Sequence, residues 1–155
     1  MTCRPSSIWR DERGNSFIEM ALAAPLLTAL LIGTVDISRA VSAKVQLEQV
    51  SQSTVERVQS QGTFKTDEIE DLEEYAEGLA GDGSEATVTA WLECNHDGTK
   101  LDYDSASCGA GVPYARYVQA TVASTYSPMF GTKYFPGANA DGTVSVRGSA
   151  TVRTQ

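Results

Sequence analysis

The residues best suited to chemistry crowd into one short stretch. Asn95, His96, Asp97, Asp102 and Asp104 lie between or beside Cys94 and Cys108, and such oxygen and nitrogen donors suggest a cation site. Their spacing is not that of an EF-hand loop, and the terminal bidentate glutamate is missing. His96 is the chain's only histidine, so no two-histidine metal centre can be built. There is no phosphate-cradling Gly-x4-Gly-Lys loop, no dinucleotide-binding glycine pattern and no Cys-x-x-Cys. Asp102 and Asp104 form a carboxylate pair, but nothing around them marks a cleft. The expectation is a polar loop rather than a catalytic centre: no enzyme, no metal and no cofactor.

Two further features carry chemistry of a different kind. Cys94 and Cys108 are 14 positions apart in a Gly/Asp/Ser-rich stretch, a natural disulfide pair if this half of the chain is exported. Closing such a loop contributes roughly 3 kcal/mol in the chain-entropy account. The other feature is Glu19, the only charged residue within residues 17–35, an otherwise apolar run.

That run sets the organisation of the chain. Its 19 residues, as a helix, span roughly 28 Å, close to the hydrocarbon thickness of a bilayer. Arg4, Arg10 and Arg13 precede it, so by the positive-inside rule the N-terminus stays cytoplasmic and everything after Asp36 lies outside. Persistence of a disulfide agrees with that orientation. A cleaved secretory signal is the competing reading, with Val41-Ser42-Ala43 as its cleavage site, but Asp36 and Arg39 intervene and the run is longer than an h-region needs. Pro25 removes a backbone hydrogen bond and crowds the Ala21 carbonyl, which predicts a kink or local melting that neighbouring helices would have to satisfy. The formal charge of −8 and the absence of a basic face argue against nucleic acid. No Lys/Arg cluster points to docking on anionic lipid.

The residues around the run resemble a known pattern. Arg13-Gly14, Glu19, Ala21, Leu22, Pro25, Gly33, Asp36, Arg39 and Ala40 are similar to the N-terminal motif of TadE-like minor pseudopilins of the tight-adherence (Tad/Flp pilus) system, relatives of type IV pilins. Met20 stands where an aromatic is usual, and Ser38 where a glycine is. A looser echo is Tyr126-Ser127-Pro128-Met129-Phe130, which resembles a Tyr-x-Pro-hydrophobic turn near that family's C-terminus. The resemblance implies cleavage by a prepilin peptidase between Gly14 and Asn15, leaving Glu19 at the fifth mature position. It implies assembly with other pilins or pseudopilins through the N-terminal helix, on an inner-membrane assembly platform. Length favours a minor subunit.

Glu19 then acquires a role. Cleavage frees an amino group on Asn15, and an ammonium and a carboxylate at apolar depth attract far more strongly than in water. Within one helix the two meet poorly, whereas a staggered neighbour can supply its amine. A carboxylate that merely reaches the headgroups is the plainer alternative.

Beyond the run, Ile37, Val41, Val45, Leu47, Val50, Val55 and Val58 recur near helical spacing with polar residues between, and Gly62 makes a C-cap. One helix over residues 16–61 is predicted, its first half in the bilayer and its second an amphipathic spine. Residues 66–79 read as a short helix with seven acidic residues, whose polar side is expected to be a solvated face. Alternation over residues 86–92, 117–123 and 143–152 predicts strands. The expected fold is α+β, with the long helix packed on an antiparallel sheet of three or four strands and the acidic helix beside it. The expected organisation is a leader over residues 1–14, a membrane helix over 15–36, a spine over 37–62 and an extracytoplasmic domain over 63–155. That places a single-pass protein in a bacterial inner membrane, contacting lipid there. An unprocessed, anchored extracytoplasmic binding domain is the alternative.

Overall fold

The computed structural model describes residues 15–95, 97–129 and 137–154. A single helix, α1 (Asn15–Gln61), leads the fold. A 3-10 turn (Thr66–Glu68) leads into α2 (Ile69–Ala80), and three strands follow: β1 (Glu85–Cys94), β2 (Tyr114–Tyr126) and β3 (Val144–Arg153). The strands form one antiparallel sheet in the order β1-β2-β3. The architecture is the expected α+β one, with three strands. Gly62, at φ +73°, ends α1 in the left-handed conformation that a glycine adopts without steric cost.

One face of the sheet lies on α1. Along β2, Val118, Ala120 and Val122 point into the core and are essentially inaccessible, while Tyr117, Gln119 and Thr121 alternate onto the other face. The apolar core divides into two clusters along the helix. Val55, Val58, Phe64, Leu72 and Val118 belong to the one nearer Gly62, and Leu47, Val50, Ala76, Ala86, Val122 and Val146 form the one nearer the apolar run. On the outer face Trp91 stacks on its cross-strand neighbour Tyr117, and the Lys100 ammonium sits 3.8 Å from the Trp91 ring centroid.

The spine buries the later part of the stripe read in the sequence, Leu47, Val50, Val55 and Val58, but not its beginning. Ile37, Val41 and Val45 are exposed. The buried line runs through Asp36, Leu47, Val50, Ser51, Thr54, Val55 and Val58, with Ala40 and Ala43 half-buried on the same face. Small residues on this line let the sheet come close. Ser51 and Thr54 are buried because each hydroxyl donates to a carbonyl one turn earlier, Leu47 and Val50, at 2.9 Å. Closest approach falls at Gly148 of β3, where a Cβ would lie 2.2 Å from the Leu47 carbonyl carbon and 2.3 Å from the Glu48 nitrogen.

The acidic helix also does more than face solvent. β1 is an edge strand, so alternate backbone N–H groups point away from the sheet. Glu73 Oε1 accepts from the Val88 N–H at 2.8 Å, and Glu77 Oε1 from the Ala86 N–H at 3.1 Å. Side chains one helical turn apart thus match donors two strand residues apart. Further along, Leu92 and Leu101 exchange backbone hydrogen bonds of 3.0 and 2.8 Å. The sequence expectation of a solvated face therefore fails for these two glutamates.

Two predictions follow from this packing. Gly148→Ala should force β3 away from α1 and destabilise the fold by about 1–3 kcal/mol; an unchanged thermal midpoint for the purified full chain would show that the two backbones are not in contact. Replacing Glu73 and Glu77 together by alanine should uncover the β1 edge and promote association, read by light scattering, whereas Glu74→Ala on the exposed side of α2 should leave scattering at the wild-type level.

Candidate functional site

α1 is long and apolar enough to cross a membrane, and none of its most apolar window is buried by the rest of the chain. Phe17, Met20, Leu22, Leu26, Leu30 and Leu31 are all exposed. Both threonine hydroxyls within this stretch are internally satisfied: Thr28 Oγ1 donates to the Ala24 carbonyl at 2.8 Å, and Thr34 Oγ1 to the Leu30 and Leu31 carbonyls at 2.7 and 2.9 Å. Such bonding is what a hydroxyl requires in hydrocarbon. Pro25 sits inside the helix, which continues through it, so the local melting considered from the sequence does not occur. Glu19 is exposed on the first turns of α1. Gly14 lies outside the described residues; the helix begins with Asn15, the residue directly after it.

At the other end of the apolar stretch lies a site that the spacing of residues did not single out. Asp36 is 1% exposed, the most deeply placed carboxylate among the described residues. Its Oδ1 accepts the Tyr126 hydroxyl at 2.9 Å and the Met129 backbone N–H at 2.9 Å. Tyr126 is the last residue of β2, and Met129 is three residues into the loop beyond it. Arg39, one turn further along α1, donates from Nη1 to the Met129 sulfur at 3.3 Å. The carboxylate thus binds one end of the sheet to the point where the apolar run stops. Partial burial, then the hydrogen bond to Asp36 and its negative charge, hold the Tyr126 hydroxyl above its ordinary pKa, with Arg39 opposing. The signal was present in the sequence as two separated fragments, Asp36 in the helix motif and the distal Tyr126 to Met129 segment. The fold brings them together across ninety positions.

The cysteine loop is organised differently. Cys94 and Cys108 are bonded, with Cα atoms 5.7 Å apart. Asp97 Oδ1 accepts from the Thr99 N–H at 2.8 Å. Asp102 Oδ1 accepts from the Ser105 hydroxyl and N–H at 2.6 and 2.7 Å, and those bonds, the hydroxyl's first, lower its pKa. Asp104 Oδ2 receives the Thr66 hydroxyl and N–H, tying the loop to the start of the 3-10 turn. Asn95 adopts φ 57°. These carboxylates are turned onto nearby backbone, and no cluster of three or more candidate metal ligands occurs among the described residues. His96 lies outside the described residues.

One comparison with known families bears on the helix. Residues 14–55 match the family model described as TadE-like protein. This segment is similar to TadE-like proteins. The match runs from the glycine before α1, through the apolar stretch and Asp36, to Val55 in the core. The match covers α1 only as far as Val55; the last turns of α1, α2 and the sheet lie beyond it. No curated protein and no solved structure matches the chain.

The Asp36 site makes its own prediction. Asp36→Ala removes the acceptor of both bonds and leaves the Met129 N–H without its partner, so it should cost about 1–3 kcal/mol in thermal unfolding of the solubilised chain. The pH dependence has a definite sign. A native-state Tyr126 that holds its proton more tightly than the unfolded chain contributes stability below about pH 10 and loses it as pH rises further. The wild-type midpoint should therefore fall between about pH 9 and about pH 11 more steeply than that of Tyr126→Phe; parallel curves would place the alkaline transition elsewhere.

Proposed function

We propose that this protein is a minor pseudopilin: a non-enzymatic assembly subunit of a Tad/Flp pilus, held in a bacterial inner membrane by the first half of α1. The observation that carries the reading is the TadE-like match over residues 14–55, on a helix whose most apolar window none of the described residues buries. In this reading the N-terminus is cytoplasmic and the sheet is extracytoplasmic, where the bond between Cys94 and Cys108 persists. A prepilin peptidase cuts between Gly14 and Asn15. The free amine of one subunit then meets Glu19 of another, and the uncovered apolar flank packs against neighbouring pilin or pseudopilin helices on the assembly platform.

Physical chemistry supports the division of labour. A carboxylate near the edge of an apolar helix carries part of the roughly 2.5–3.5 kcal/mol cost of a charge at a membrane helix centre. Pairing with an ammonium at the same depth offsets that cost only when a partner arrives, which turns Glu19 into a registration point for assembly. The sheet and α2, packed on the same helix, give the subunit its own extracytoplasmic surface.

N-terminal sequencing of the membrane-extracted protein tests the processing step directly. Asn15 as first residue supports a pseudopilin, Met1 supports an unprocessed anchored binding domain, and Lys44 indicates a secretory signal. Glu19→Ala should be cleaved and inserted normally, yet be lost from isolated pili or pilus complexes; incorporation at the wild-type level would remove Glu19 from the assembly mechanism.

A further inference from the structure

The corner held by Asp36 has a second consequence. Met129 lies on the loop beyond the sheet, yet its backbone N–H is bonded to Asp36, the residue directly after the apolar run ends at Val35. Its side chain is 65% exposed. Val35 and Ile37, on either side of Asp36 along α1, are exposed apolar residues too. Pro128 directly precedes Met129 in the chain. The Arg39 guanidinium, bonded to the Met129 sulfur, adds one cation at the same level. An apolar tip is thereby fixed at the height where hydrocarbon gives way to headgroups, beside a cation suited to phosphate.

We infer that the Pro128–Met129 corner rests in the outer leaflet of the same bilayer that α1 crosses, as a second, interfacial contact with lipid. This rests on the membrane reading of α1 given above. The occupant is lipid rather than protein because the tip's height is fixed by a hydrogen bond to the helix at the end of its apolar run. Any bilayer that covers Val35 to its edge therefore reaches the Met129 side chain. The contact is apolar with a single cation and needs no basic cluster. It makes the sheet lean on the membrane at a set angle, so the subunit does not swing freely about α1. Interfacial side chains of this kind bury roughly 5–10 Å into the headgroup and acyl boundary.

The test uses the full chain reconstituted in phosphatidylcholine vesicles, with Trp9 and Trp91 replaced by phenylalanine and one reporter introduced at a time. Leu31→Trp reports on the membrane span, Met129→Trp on the corner, and Thr151→Trp on the exposed face of β3. Quenching is measured with lipids brominated in mid-chain and with lipids spin-labelled at the headgroup. The expected result is mid-chain quenching at position 31, headgroup quenching at position 129, and neither at position 151. Quenching at position 129 no stronger than at position 151, with position 31 still quenched, overturns the corner contact and leaves the span intact. A position 31 that is unquenched removes the span, and the corner contact with it. Headgroup quenching at position 129 that disappears as the protein-to-lipid ratio rises means that a second copy takes the corner, which also overturns the inference.

Discussion

The fold is organised around one carboxylate in an unfavourable place. Asp36 is buried where an apolar helix ends, and an ion there is tolerated only if its oxygens are well supplied with donors. The Tyr126 hydroxyl and the Met129 N–H are two of them, one from the last residue of β2 and the other from the loop just beyond it. The requirement to satisfy Asp36 therefore determines where the sheet begins along the helix. From that anchor the sheet runs along α1 away from the apolar stretch, and the small residues of the spine together with Gly148 allow backbone to meet backbone.

Function, in this account, is divided along a single helix. The first half is an exposed apolar surface with Glu19 near its end, which in the proposed reading meets lipid and neighbouring subunits. The second half is occupied by the chain's own core. Asp36 marks the change from one use to the other, and the TadE-like match extends across it into the core. Sheet edges, which would otherwise recruit unrelated strands, are managed locally: Glu73 and Glu77 occupy the outward donors of β1 at two positions.

Much of this was legible in the sequence, for reasons that are local. A 19-residue apolar run, a C-capping glycine and alternating strands declare themselves within a few residues, so helix, strand and family pattern could be read. The buried stripe of the spine could not. Ile37, Val41 and Val45 look like core residues by hydropathy, yet the sheet selects the adjacent face because Ala40, Ala43, Ser51 and Thr54 permit closer approach. Volume, rather than hydropathy, decided that contact. The edge-capping glutamates were hidden for a similar reason, since seven acids on one short helix look alike until a strand lies beside two of them. Asp36 was visible as a motif position, but its partners lie some ninety residues away, and only tertiary structure joins them.

Hydrogen exchange at the Met129 amide tests the Asp36 anchor most directly. If the loop is tied to α1 as described, this amide in the folded full-length chain exchanges far more slowly than an exposed loop amide, and its protection follows that of the β2 core. Exchange at the rate of an unstructured peptide amide would show that Asp36 does not hold the sheet to the end of the apolar helix.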